Sequence, residues 1–173
     1  PPVAGRHAIS SRAPDEARAI LRHWQEAVPN DRLAHLVRDA SRAFARALSE
    51  RLAAHDVSFG HWTFLRALWE RDGLTQKELS EQVGVMEPTT FAAVKAMEAK
   101  GLVVRRQHAD NRKNVYVHLT RQGRALERRL VPLAEEVNRI GVAGLADGDV
   151  ATARAVLLAI VASLAQDGAD KPS

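Results

Sequence analysis

Cysteine is absent from the 173 residues. That excludes disulfides, thiolate metal sites, cysteine nucleophiles and thiol-based redox sensing. Aromatic residues make up only 5% of the chain, so Leu, Val and Ala are expected to build the core. No apolar run approaches the roughly 20 residues of a membrane span, and no signal peptide is read. A cytoplasmic protein without a membrane partner is expected. Enzyme signatures are missing as well: no phosphate-cradling glycine loop, no Gly-x-Ser-x-Gly elbow, no His-Glu-x-x-His. Seven histidines, at positions 7, 23, 35, 55, 61, 108 and 118, are scattered singly, without metal-ligand spacing. Neither catalysis nor a cofactor or metal is expected.

What is present is a globular composition, 46% hydrophobic and 27% charged, with room for one ordinary domain and its arms. The net charge of +4 says little by itself, but its placement says more. Residues 86–129 hold ten Lys or Arg against four acids, so the remainder of the chain is net negative. A localised basic footprint suits a polyanionic partner.

Along the chain, residues 1–12 read as an arm. Pro14-Asp15-Glu16 opens a helix to about Ala27 that carries Ile20, Leu21 and Trp24. From Leu33, apolar residues at 33, 36, 37, 40, 44, 47, 48 and 52 keep helical spacing for about five turns. Ser58 caps a further helix with Trp62, Leu65, Leu68 and Trp69, ended by Asp72-Gly73. Thr75-x-x-Glu78 is a capping-box pattern that starts a short helix with Leu79 and Val83 inward. Gly84 suits a left-handed turn residue. Pro88 sits near the start of the next helix, whose inward stripe is Thr90, Val94 and Met97. Gly101 stops it.

Leu102-Val103-Val104 and Val115-Tyr116-Val117 have strand composition, with a polar loop between them. Thr120 caps a long helix with the stripe Leu126, Leu130, Leu133, Val137 and Ile140, in which Pro132 predicts a kink. Asp147 caps a last helix with Val150, Leu157, Ile160, Val161 and Leu164. Helix, tight turn, helix and basic-tipped hairpin, in that order, describe a winged helix-turn-helix, a unit that sets one helix in a DNA groove. The small reading head cannot cover the long apolar stripes on either side of it, so a symmetric dimer is expected.

With these residues in hand the chain resembles the MarR family of bacterial transcription regulators over residues 30–165. The resemblance is carried by Leu74-Thr75-Gln76-x-Glu78-Leu79, Pro88-Thr89, Glu98-x-Lys100-Gly101-Leu102-Val103, Asp110-x-Arg112 and Leu119-Thr120-x-x-Gly123. It implies a mainly α fold: a winged helix-turn-helix with a small β-hairpin wing, flanked by long N- and C-terminal dimerisation helices. The implied division is 1–29 for the arm and extra helix, 30–57 with 120–165 for dimerisation, 58–119 for the winged helix, and 166–173 for a flexible tail. The implied partner is double-stranded DNA carrying a pseudo-palindromic operator, bound by a homodimer.

Carried over by position, the recognition helix is about 87–100, with Thr89, Phe91, Ala92 and Lys95 outward and Thr90 counted with them. Many relatives place an arginine where this chain has Ala92. Thr89, Phe91 and Ala92 can instead meet thymine methyl groups, while Phe91 can equally pack on the first motif helix. The backbone N–H groups of Thr75 and Gln76 can hold a phosphate. Arg112, at the wing tip between Asn111 and Lys113, suits a narrow minor groove. Arg105 and Arg106 add charge, and Asp110 is expected to brace the wing by pairing with one of them.

The resemblance also implies a repressor released by a small aromatic carboxylate or phenol. At the junction of dimer helices and reading head stand Ser41, Arg46, His61, Trp62 and Arg66, a set able to pair with an anion and stack on a ring. Trp24 either lines that pocket or buttresses the dimer. A winged helix used only for protein contact and a metal-responsive regulator are the alternatives.

Overall fold

The computed structural model describes residues 33–108 and 111–169, with the backbone alone at His108, Asn111, Arg112, Lys113, Gly168 and Ala169. The expected N-terminal helix with Trp24, and Asp110, lie outside the described residues. Two compact units divide the chain, Pro1–Ala43 and Phe44–Ser173. The first is described only over the opening half of helix α1 (Leu33–Ala53), where Leu33, Leu36 and Val37 are exposed.

In the second unit the closing half of α1 buries Leu48 and Leu52. Helix α2 (Phe59–Glu70) starts where the Ser58 hydroxyl accepts the His61 N–H at 3.1 Å. It buries Trp62, Phe64, Leu65, Ala67 and Leu68, so two of the few aromatics join the aliphatic core. The fully buried side chains around it come from every neighbouring element: Leu74, Leu79, Val94, Met97, Val103, Val117 and Leu130.

Strand β1 (Leu74–Thr75), helix α3 (Gln76–Val83), helix α4 (Glu87–Ala99), and strands β2 (Val103–His108) and β3 (Asn111–Leu119) follow in order. The sheet is antiparallel with β3 in the middle: Leu74 pairs Val117 on one side, and Val103 pairs Leu119 on the other. Two differences from the sequence reading arise here. Strand β1 is not expected, because two residues are too few to carry a period. The wing strands also run further than the Val-rich triplets, to a His108–Asn111 pair. Their backbones gain ladder bonds regardless of side chain, and a solvated finger has no buried face to demand apolar alternation.

Helix α5 (Arg121–Gly141) begins at Thr120, whose hydroxyl accepts the Gly123 N–H at 3.0 Å and donates to Gly101 O at 2.6 Å. It continues through Pro132 as one helix. Helix α6 (Asp147–Ala169) has no buried side chain among its described residues. It also corrects the reading of apolar runs: Asp147–Asp167 is 21 residues long with mean hydropathy 1.6, enough to cross a membrane by length and composition. Asp149 and Arg154 interrupt the run in the sequence, but a few charges among Ala, Val, Leu and Ile leave the average high.

Candidate nucleic-acid interface

The helix-turn-helix is built by local bonds that the sequence announces. The Thr75 N–H donates to Glu78 Oε2 at 2.8 Å, and the Glu78 N–H to Thr75 Oγ1 at 3.2 Å. The Thr75 hydroxyl also donates to Glu78 Oε2 at 2.8 Å. The Thr75 N–H bond first, then this hydroxyl bond, with the Arg71 charge adding to them against a slight burial penalty, hold the Glu78 carboxyl below its usual range. The box also corrects the phosphate assignment. The Thr75 N–H is consumed inside the protein, which leaves the first helical positions, Gln76 and Lys77, as the donors without an intrahelical acceptor. Gly84 closes α3 at φ 74, a left-handed conformation that a Cβ would strain.

Thr90 is corrected as well. It is 0% exposed, and its hydroxyl meets that of Ser80 at 2.7 Å. Buried hydroxyls need a partner, and this pair locks α4 onto α3. It cannot touch DNA. Around it Thr89, Phe91, Ala92 and Lys95 are exposed, as the outward assignment expects.

Phe91 is 50% exposed, and its visible neighbour is the wing: the Arg105 guanidinium carbon lies 5.7 Å from the ring centroid. Arg105 is held in turn by Glu98, through Nη2 and Nε to Oε2 at 2.7 and 2.9 Å and through its backbone N–H to Oε1 at 3.1 Å. The Arg105 side-chain bond and then its N–H hold Glu98 below the ordinary carboxylate range. Arg105 is therefore a brace between wing and recognition helix and not a spare cation, held by Glu98. Arg106, beside it, is exposed. Asn111, Arg112 and Lys113 begin β3 next to the tip.

A second brace has no sequence signal beyond an acid before a glycine. Asp72 accepts the Leu119 N–H at 2.8 Å and the Arg124 guanidinium at 2.8 Å, and the His118 ring stands 3.8 Å away. Burial pushes its carboxyl up, but the Leu119 bond and Arg124 outweigh that and keep it low. One carboxylate thus ties the end of α2 to the root of β3 and the first turn of α5.

This geometry has known counterparts. The sequence profile of the MarR family matches residues 57–115. The solved structure of transcriptional regulator PA3341 superimposes with a TM-score of 0.69 and is 31% identical, covering 77% of this chain and 98% of its own. The chain belongs to the MarR family. It is a MarR-type DNA-binding transcriptional regulator, mainly helical with a small three-stranded antiparallel sheet. The HTH-type transcriptional regulator TtmR of Methylorubrum extorquens (strain PA1) is 30% identical over 116 residues, 67% of this chain; the match spans 58% of that relative's length. The Homoprotocatechuate degradative operon repressor of Escherichia coli is 26% identical over 102 residues, 59% of this chain and 67% of its own.

The residues expected to hold an effector are only partly gathered in this MarR chain. Trp62 and Arg66 line two clefts, of about 290 and 550 Å³. Glu70 lines both, the larger adds Trp69, Glu127 and Glu135, and Trp62 and Trp69 meet edge to face at 5.6 Å. His61 lines neither cleft. Its Nδ1 is buried without a hydrogen-bond partner among the described residues, and burial, then the Lys100 charge, lower its pKa against the pull of Asp56. Lys100 is occupied by Asp56, at 2.9 Å to Oδ1. Arg46 and Ser41 are exposed on α1.

Proposed function

We propose that the protein is a homodimeric repressor that binds a pseudo-palindromic operator and leaves it when a small aromatic ligand enters the cleft beside Trp62 and Arg66. The observation that carries the DNA reading is the exposed outer face of α4, relieved of core duty by Thr90, Val94 and Met97, next to a wing rich in Arg and Lys. Thr89, Phe91 and Lys95 would face the major groove; Arg106, Asn111, Arg112 and Lys113 would follow the backbone and minor groove. Gln76 would meet a phosphate.

Dimerisation is supported by α6. Leu157, Leu158, Val161 and Leu164 are 45 to 67% exposed, and Ile140 on α5 is 53% exposed. A bare apolar helix of this length needs a covering surface, and a second copy supplies one with the two-fold symmetry that a palindrome requires. Residues 30–57 and 120–165 would then form the dimer part, and 58–119 the reading head. Such a regulator works in the cytoplasm, where its DNA is.

Replacing Arg112 by Ala is expected to weaken operator binding by about 1–3 kcal/mol if the side chain fits a groove. Fluorescence anisotropy at moderate salt measures it, and an unchanged affinity would reject the wing assignment.

For the effector, the larger cleft has a volume suited to a small ring compound. Its three carboxylates outnumber Arg66, which already reaches Glu70 at 3.5 Å in an open, weak pair. A phenol, whose hydroxyl donates to a carboxylate, is favoured over an aromatic acid. In calorimetric titrations with a panel of both, Arg66→Ala is expected to weaken the acids by about 1–2 kcal/mol and to spare the phenols. Absence of binding by every compound would remove the ligand from the proposal.

A further inference from the structure

We infer that the recognition helix distinguishes bases through thymine C5-methyl groups, with Phe91 as the principal reader and Arg105 and Glu98 as the residues that hold it. This rests on the DNA-binding reading above and adds how one base is told from another.

The exposed side chains over the first nine positions of α4 are Glu87, Pro88, Thr89, Phe91, Ala92 and Lys95. None is an arginine that could fork onto guanine, and none is an amide that could pair twice with adenine; at the two ends Lys95 can meet guanine and Glu87 cytosine. Between those charged ends Pro88, Phe91, Ala92 and the Thr89 methyl form an apolar stretch, and the thymine methyl is the apolar group that the major groove displays. Ala92 is short, so it lets the helix axis approach closely.

Phe91 is built for such a contact. Phe91 and Glu98 stand seven residues, two helical turns, apart and so share one flank of α4. Arg105, from β2, bridges them, with its guanidinium over the Phe91 ring at 5.7 Å and bonded to Glu98 at 2.7 Å. The ring is thus supported on the protein side and bare elsewhere, 50% exposed. A side chain already held in position loses little rotamer freedom on binding. The same arrangement keeps Arg105 from swinging onto a phosphate, so the triad spends its charge on positioning.

The test uses the full chain. Its preferred duplex is first selected from a random pool, and each thymine is then replaced in turn by deoxyuridine, which deletes a single methyl group. At one position or more in each half-site, affinity is expected to fall about fourfold per methyl, and about 15-fold with both half-sites changed. Phe91→Ala, a half-exposed site that leaves the core intact, is expected to bring the thymine-to-uracil affinity ratio at its position close to one. Lys95→Ala is expected to weaken both duplexes equally.

A selected duplex in which every thymine tolerates uracil would overturn the inference and leave DNA binding standing. So would a Phe91→Ala protein that discriminates as the parent does. A chain that selects no duplex at all would overturn the proposed function, and this inference with it.

Discussion

Raising salt from 50 to 200 mM is expected to weaken operator binding by about 10³–10⁵-fold, because each neutralised phosphate releases condensed counterions. Residues 86–129 hold ten basic side chains, but the structure removes several from the tally. Arg105 is committed to Glu98, Arg124 to Asp72 and Lys100 to Asp56. The other Lys and Arg that the sequence places on the recognition helix and wing are Lys95, Arg106, Arg112 and Lys113 in each subunit. A dimer placing all of them on DNA neutralises about eight phosphates, a log–log slope of roughly −7 and a loss of about 10⁴-fold across this range. If Arg105 also reached the backbone, the slope would steepen to about −9. Anisotropy titrations at three salt concentrations resolve the two values, and a flat response would show that the basic patch is not the contact surface.

Gly123→Ala is expected to destabilise the fold by about 3 kcal/mol, through overpacking and lost hydrogen bonds. A Cβ at this position would run into the Leu102 carbonyl oxygen and would lie 3.3 Å from Leu119 Cδ2. The carbonyl cannot retreat freely, because it accepts the Thr120 N–H at 3.0 Å. Moving α5 away instead would stretch the Thr120 hydroxyl bond to Gly101 O, 2.6 Å, and the Trp69 indole bond to Gly123 O, 3.0 Å. For a chain of this size the melting temperature should fall by roughly 6–12 °C, measured at fixed protein concentration because the proposed dimerisation would be linked to stability. Gly148→Ala is the control: nothing lies within 4 Å of its Cβ, and an exposed helical site should be neutral or gain about 0.5–1 kcal/mol. Equal melting of Gly123→Ala and parent would mean that α5 does not approach the α4–β2 connection this closely.

How much was legible follows the range of each interaction. The Thr75–Glu78 box, Gly84 and the Ser58 and Thr120 caps were all read from the chain, because each is settled within three or four residues by bonds to its own backbone. The inward stripe of α4 was legible for the same reason, as a period. Thr90 exposes the limit. Its place in that stripe was visible, yet it was also counted with the DNA-facing residues beside Thr89, and its full burial against the Ser80 hydroxyl across the turn decides against that. Arg105 likewise looked like one more positive charge until Glu98, on another element, claimed it.

What the sequence by itself determined, then, is the order of elements, their ends, the face each turns inward and the region where positive charge collects, since these depend on neighbours along the chain. Only the tertiary structure decided that Arg105, Arg124 and Lys100 are spent on braces. It placed Asp72 at the root of the wing, brought β1 onto β3, and left α6 without a buried side chain. Those outcomes depend on pairs separated by up to 52 positions, as Asp72 and Arg124 are, and no local spacing encodes which of several equivalent partners folding brings within bonding distance.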